Sequence, residues 1–297
     1  MQMPDVIEHQ GQSRLQHGPL NDRIYLMKLD PGDFPGIVSA LEDLAHEHNY
    51  SKIFAKVPEE FRDPLLEYGY LEEGRVPRFY GGQQTAVFVS KFLASWRGMA
   101  TDQQRLHDVL AAAEAKQSDV PSYGPTQLQA VELGPEHAEQ TARLYDTVFD
   151  SYPFPIYDPT YIRETMHSHV RYFGVFDREQ LVALASSEID TEGQNVEMTD
   201  FATLPEYRSK GLAGFLLAHM ETVMREDGLF TAYTIARAVS YGMNITFARA
   251  GYVYGGTLIN NTNIAGNLES MNIWYKPVAE IQDTAGTASE HLIPPAD

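Results

Sequence analysis

VEMTDFATLPEYRSKGLAGFLLAHMETVM, residues 196–224, reads as a strand that runs into a basic, glycine-bearing turn and out into a helix. The turn itself is Arg208-Ser209-Lys210-Gly211-Leu212-Ala213-Gly214. A helix start offers backbone N–H groups without intrahelical partners and a partial positive charge, and small residues let a phosphate approach them. The segment therefore predicts a pyrophosphate cradle. Behind it Leu212, Phe215, Leu216, Met220, Val223 and Met224 recur at helical spacing, which predicts one buried face and a rigid base for the turn. The stretch has neither the glycine, lysine and hydroxyl order of a P-loop nor the three spaced glycines of a dinucleotide site. Nucleotide hydrolysis and hydride transfer are disfavoured.

Around this unit, strands and helices alternate. Strands are expected near 126–133, 170–176, 180–190, 194–204, 229–236, 252–259 and 270–276, and helices near 135–149, 158–168, 211–227 and 240–250. The first half predicts strands at 24–29, 52–57, 74–80 and 85–92. It also predicts a helix capped by Asp33, with Phe34, Ile37, Val38, Leu41, Leu44 and Ala45 on one face, and a second over 58–69 that Pro64 interrupts. Helix-prone residues 101–117 lead to the turn-rich SDVPSYGPT, where a domain boundary is expected. The division is thus an arm (1–20), an α/β half-domain (21–99), a helical linker (100–124), an α/β domain with a mixed sheet flanked by helices (125–278) and a tail (279–297). SKIFAKVPEEFRDPLLEYGYLEEGRVPRFY and LFTAYTIARAVSYGMNITFARAGYVYGGTLIN share a strand, helix, Gly-Tyr, strand order. This hints at duplication, with chance similarity as the alternative.

Composition narrows the function. The net charge of -19 speaks against nucleic acid and anionic membranes as partners. It suits either attraction of a cationic substrate or solubility in a salty cytoplasm. With 43% hydrophobic and 11% aromatic residues and no apolar run near the roughly 20 residues of a membrane span, a soluble globular protein is expected. The polar start lacks a signal-peptide pattern, so a cytoplasmic location is expected. The chain has no Cys, which removes thiol nucleophiles and thiolate metal sites. The spacings of His46/His48 and His167/His169 suggest no metal.

Arg208-x-x-Gly211-x-Ala213 after Pro-Glu-Tyr resembles the coenzyme A turn of the GNAT acetyltransferases. Asn244-Ile245-Thr246-Phe247-Ala248-Arg249-Ala250-Gly251-Tyr252 resembles their later helix, which begins near an Asn and ends in Gly-aromatic before a strand. The resemblance implies a GNAT fold preceded by a smaller GNAT-like half, with acetyl-CoA as co-substrate. Its pantetheine would lie along Phe201, Ala202 and Thr203, its pyrophosphate on Arg208 to Gly214, and its thioester near Asn244. An alkylammonium, with a pKa of about 10.4, must lose a proton before it attacks, and a thiolate leaving group benefits from a donor. The resemblance places a general base at Glu197, against the reading of an ordinary strand Glu, with Asp200 as the weaker candidate. The family's acid is often a Tyr where this chain has Phe247. Tyr254 is preferred as its substitute over Tyr252 and Tyr241, and water is the alternative.

GYVYGGTLINNTNIAGNLESMNIWYKP, together with IFAKVPEEF and RVPRFYGG, is similar to the β-lysine N-acetyltransferases of bacteria and archaea over roughly residues 20–277. That likeness implies a small diamino acid substrate, acetylated on its terminal amine to make a compatible solute, downstream of lysine 2,3-aminomutase. Asn260, Asn261 and Glu269 are then candidate substrate residues, together with Asn263, Asn267 and Arg237 as a carboxylate clamp. The competing readings are turn-forming residues for the Asn group and a surface Arg. Another amine (a polyamine, an antibiotic or a protein N-terminus) and a non-catalytic acetyl-CoA sensor stay open as alternatives. One coenzyme per chain is expected, with residues 21–99 walling the substrate pocket or meeting the second copy of a homodimer.

Overall fold

A computed structural model describes residues 5–117, 119, 128–150, 152, 154–264 and 266–279. The expected boundary at 118–126 and the expected tail lie almost wholly outside these residues. The strands are β1 (Val6–Gln10), β2 (Ser13–Gly18), β3 (Arg23–Lys28), β4 (Lys52–Pro58), β5 (Leu71–Tyr80), β6 (Gln84–Phe92), β7 (Ala130–Leu133), β8 (Val170–Asp177), β9 (Gln180–Asp190), β10 (Asn195–Thr203), β11 (Thr231–Arg237), β12 (Val253–Ile264) and β13 (Asn267–Pro277). They form one sheet in the order β1-β2-β3-β4-β6-β5-β12-β13-β11-β10-β9-β8-β7. The helices are α1 (Gly36–His48), α2 (Arg62–Glu67), α3 (Gln103–Glu114), α4 (Ala138–Val148), α5 (Pro159–Met166), α6 (Leu212–Glu226) and α7 (Tyr241–Arg249). Among the described residues no helix is long and apolar enough to cross a membrane.

Read outward from the centre, the sheet repeats itself. On one side β5, β6, β4, β3, β2 and β1 follow one another, and on the other β12, β13, β11, β10, β9 and β8. The inner neighbours are antiparallel in both halves, β3–β4 and β10–β11 are the parallel pairs, and α1 and α6 make the matching crossovers. The halves are thus related by a pseudo-two-fold through β5 and β12, and β7, α4 and α5 belong to the second alone. The seam is one register pair, Gly74↔Gly256. A side chain at Gly256 (φ 139°) would put its Cβ 2.2 Å from the Glu73 carbonyl oxygen and 2.5 Å from Gly74 Cα, so the backbones meet only because neither carries one.

Two sequence expectations are corrected. Within the expected arm, residues 6–10 and 13–18 form β1 and β2, with Leu15 fully buried and β2 paired along β3. Their polar residues hide the alternation that marks a strand. Helix α1 starts at Gly36 rather than behind Asp33, whose carboxylate instead accepts the Gln12 (2.9 Å) and Ser13 (2.7 Å) N–H groups and the Ser13 hydroxyl. Residues Ile37, Val38, Leu41 and Ala45 form its buried face.

Candidate active site

Strands β10 and β11 pair only over Asn195↔Thr231, Val196↔Ala232 and Glu197↔Tyr233. Beyond that β10 stays on β9 through Thr203, while β11 continues to Arg237 on β13. The sheet therefore forks at Glu197. A bulge between Thr199 and Ala202, with Asp200 at φ 55°, turns β10 away from β11 and leaves Phe201 to Thr203 without a partner on the fork side. An extended, amide-bearing chain fits such a gap as a strand would.

The fork runs toward the turn before α6. Ser209 (φ 62°) and Gly211 (φ 77°) wind it left-handed, and no side chain caps the helix. A Cβ at Gly211 would meet nothing within 4 Å, so the approach to the helix start is open. Arg208, Ser209, Lys210 and Gly211 are exposed, and Lys210 Nζ lies 4.2 Å from the centre of the Tyr207 ring. Uncapped N–H groups, two cations and open space suit a pyrophosphate.

Strand alternation puts Glu197, Tyr233 and Tyr275 on one face of the sheet and Val196, Ala232 and Lys276 on the other. Glu188, directly opposite Glu197 on β9, shares its face. Burial raises the Glu197 carboxyl pKa, while Lys56 and the Tyr233 hydroxyl favour the charged form. Burial raises Glu188 as well, and the charges of Glu197 and Asp200 add to it. Asp200 is raised by burial and held against that by hydrogen bonds from Ser186 (2.6 Å), Tyr152 and Thr199. Three half-buried carboxyls on one face of the sheet favour the approach of a cation, and a base with a raised pKa is suited to removing a proton near neutrality.

The N-terminal half closes this face. Phe54, Val76, Phe79 and Phe88 form one apolar cluster with Tyr233, Met271 and Ile273. From β4, Lys56 reaches across, its Nζ 3.2 Å from the Tyr233 hydroxyl and 5.2 Å from the Phe79 ring centre. Tyr25 stacks on Phe54 at 4.6 Å, and burial and the Glu197 charge raise its pKa beyond the ordinary phenol range. Residues 21–99, expected to pack against this domain or a second subunit, thus pack on the Glu197 face within one chain.

The sequence-named residues do not all gather here. Glu197 lies at the fork, and Phe201 to Gly214 run along its open side from β10 into the turn before α6. Tyr254 pairs with Trp274, on the face opposite Glu197, and its hydroxyl is 2.5 Å from Thr257 Oγ1. The two catalytic candidates are therefore separated by the sheet. Asn244 is fully buried: its amide donates to the carbonyls of Arg237 (3.0 Å) and Ser240 (2.7 Å), and its oxygen accepts from Asn272 (2.9 Å) and Trp274 (2.8 Å). That side chain brackets α7 to β13 and has no capacity left for a ligand.

Arg237 is a correction of a similar kind, because Glu269 already fills its fork at 2.6 and 2.8 Å. The amide-rich stretch is not a loop but the β12–β13 hairpin. Asn260 donates to the carbonyls of Arg97 (3.0 Å) and Met99 (2.9 Å), and the Asn261 carbonyl accepts from buried Arg23 (2.5 Å). These residues tie β12 to the first half, where Lys52 and Glu73 add a buried ion pair at 2.9 Å that also holds the backbone of Ile259. Sequence reading passed over Glu188, Tyr25 and Lys56. The register of Glu188 opposite Glu197 was the one available signal, and it needed the β9–β10 pairing to become visible.

Fork, bulge and uncapped glycine turn suit an acyltransferase that holds an extended acyl-coenzyme A. Residues 140–252 match the Acetyltransferase (GNAT) family. The chain is 40% identical over 274 residues to the β-lysine N(6)-acetyltransferase of Methanococcus maripaludis, covering 92% of this chain and 99% of that protein. It is 33% identical to the β-lysine N(6)-acetyltransferase of Methanosarcina mazei (82% and 98% covered) and 33% identical to N-acetyltransferase YodP of Bacillus subtilis (88% and 94%). The chain belongs to the GNAT acetyltransferases, which take their acetyl group from acetyl-CoA.

Proposed function

We propose that this protein transfers the acetyl group of acetyl-CoA to the terminal (N6) amine of β-lysine, 3,6-diaminohexanoate. The observation that carries the chemistry is Glu197, a carboxyl with a raised pKa at the point where β10 leaves β11. The substrate class rests on the two β-lysine acetyltransferases that the chain resembles along most of its length.

Acetyl-CoA supplies an acyl carbon activated as a thioester and a thiolate leaving group. Phe201 to Thr203 would hold its pantetheine, and the Arg208 to Gly214 turn its pyrophosphate. Glu197 removes one proton from the N6 ammonium, directly or through a water. The neutral amine attacks the acyl carbon, a C–N bond forms, the C–S bond breaks, and the proton that the new amide nitrogen sheds balances the thiolate. With a thiol pKa near 8.5 the thiolate is a fair leaving group, so the reaction does not depend on Tyr254, which lies behind the sheet. On this reading the substrate is the product of a lysine 2,3-aminomutase, and acetylation leaves a neutral zwitterion suited to accumulate as a compatible solute in the cytoplasm.

The test is a comparison of initial rates of thiol release with acetyl-CoA and β-lysine, lysine, spermidine or peptides with free N-termini. The highest kcat/KM is expected with β-lysine. A preference for spermidine or for peptides would overturn the substrate assignment, and no turnover with any amine alongside intact acetyl-CoA binding would favour a sensor.

A further inference from the structure

Two charged side chains at this pocket have no use in the reaction as derived. The Glu188 side chain is half-buried, and among the described residues it makes no hydrogen bond or ion pair, although it lies beside Glu197 across the strands. Arg14, on β2 of the first half, is exposed and likewise has no side-chain partner among the described residues. It stands opposite Lys28 on β3, and Lys28 bonds Glu192 in the turn between β9 and β10. Gly81 N–H donates to the Gly193 carbonyl of the same turn at 2.8 Å. The first half is thereby anchored over the β9–β10 hairpin, and Arg14, two residues along β2 from Gln16, which stands opposite Tyr25, lies on the Tyr25 face of the first half.

A carboxyl that gives up its proton as an ammonium arrives, and a guanidinium that stays apart from it, suit a ligand head that carries both charges. We infer that Glu188 and Arg14 form the head-group subsite of the acceptor, with Glu188 taking its second ammonium and Arg14 its carboxylate. The inference rests on the reaction proposed above and adds the residues that choose the substrate. In 3,6-diaminohexanoate the two nitrogens are separated by four carbons, so amines at Glu197 and Glu188 would span one cross-strand pair, whose facing positions lie roughly 5 Å apart at the backbone. The carboxylate is one methylene from the carbon that bears the second amine, which puts it on the Arg14 side. The first half thus selects the substrate by supplying, at Arg14, a cation that repels a polyamine.

The test uses the full-length chain and three acceptors: β-lysine, 1,4-diaminopentane (both amines, no carboxylate) and 6-aminohexanoate (carboxylate and terminal amine, no second amine). The unaltered chain should favour β-lysine over both analogues by about tenfold or more, as expected for losing a charge-assisted contact. Arg14→Gln should raise KM for β-lysine and 6-aminohexanoate and narrow the preference over 1,4-diaminopentane, with kcat much less affected. Arg14→Lys should recover part of it. Glu188→Gln should narrow the preference over 6-aminohexanoate instead. Acetyl-CoA affinity, measured on each variant, checks that the fold is kept. Equal losses for all three acceptors in both variants would overturn the subsite while leaving the reaction standing. Absence of β-lysine turnover in the unaltered chain would overturn the reaction itself.

Discussion

The two halves of the sheet carry the same crossover, and only one of them forks. In the second, Leu204-Pro-Glu-Tyr-Arg-Ser-Lys-Gly211 connects β10 to α6. In the first, Leu29-Asp-Pro-Gly-Asp-Phe-Pro35 connects β3 to α1, one residue shorter. Strand β3 stays paired with β4 from Arg23↔Lys52 to Leu26↔Ala55 and ends at Lys28, so it presents no long free edge to a pantetheine. Its turn carries the acids Asp30 and Asp33, whereas the other carries the cations Arg208 and Lys210, and Pro35 removes an N–H at the helix start. The comparison teaches that one topology can keep the same face of the sheet while the strand-to-helix turn at its end is rebuilt. What the first half retains, Tyr25 and Lys56, points at the other half's acid.

The sharpest way to break this contrast is at the helix starts. Gly211→Asp should abolish acetyl-CoA binding in calorimetry, because a carboxylate facing the pyrophosphate costs several kcal/mol. Gly36→Asp at the start of α1, where a Cβ also meets nothing within 4 Å, should leave binding unchanged. A stoichiometry near two coenzymes per chain would show that the first half binds as well.

Next in size is the chemistry. Glu197→Gln should lower kcat by roughly 100-fold or more with acetyl-CoA affinity nearly unchanged, and the deficit should shrink as pH approaches the amine's own pKa of about 10.4. A variant that turns over normally at neutral pH would move the base to Asp200.

At the seam, Gly256→Ala should destabilise the fold by about 1–3 kcal/mol through backbone overlap, read as a lower Tm. Gly266→Ala, in the open at the tip of the hairpin, should cost less. Equal effects would mean that the close approach of Gly74 and Gly256 does not bear on stability.

The smallest effect concerns pH. The raised carboxyls of Glu188 and Glu197 hold protons in the folded chain that the unfolded chain, titrating near 4.3, has already released. Stability is therefore complete below that value and falls as pH rises through the folded pKa values, so Tm should decline from pH 5 to 8. Glu188→Gln should flatten the decline, and an unchanged slope would place the titration elsewhere.

Most elements were legible because their periodicities are strong: β9 and α6 carry clear apolar patterns, and the turn at Gly211 announces itself by composition. The echo between the halves was also visible. The site was legible only where a single segment builds it, as at Glu197 and the cradle. Glu188, Lys56 and Arg14 come from β9, β4 and β2, and nothing local tells Lys56 from any strand lysine until the halves close on each other. The Asn group misled because turn-forming residues ordinarily mark loops, whereas here their amides and backbone bond across to the first half.

The seam also has a consequence for how the chain is made. Strand β5 finds its outer neighbour only in β12, so while the ribosome is still adding residues beyond 100 the first half presents a long strand with one side of its ladder unmet. Open edges of this kind recruit other chains. Until Val253 to Ile264 have emerged, that edge needs shelter, and a translation product that stops short of them would leave it permanently bare and prone to aggregate.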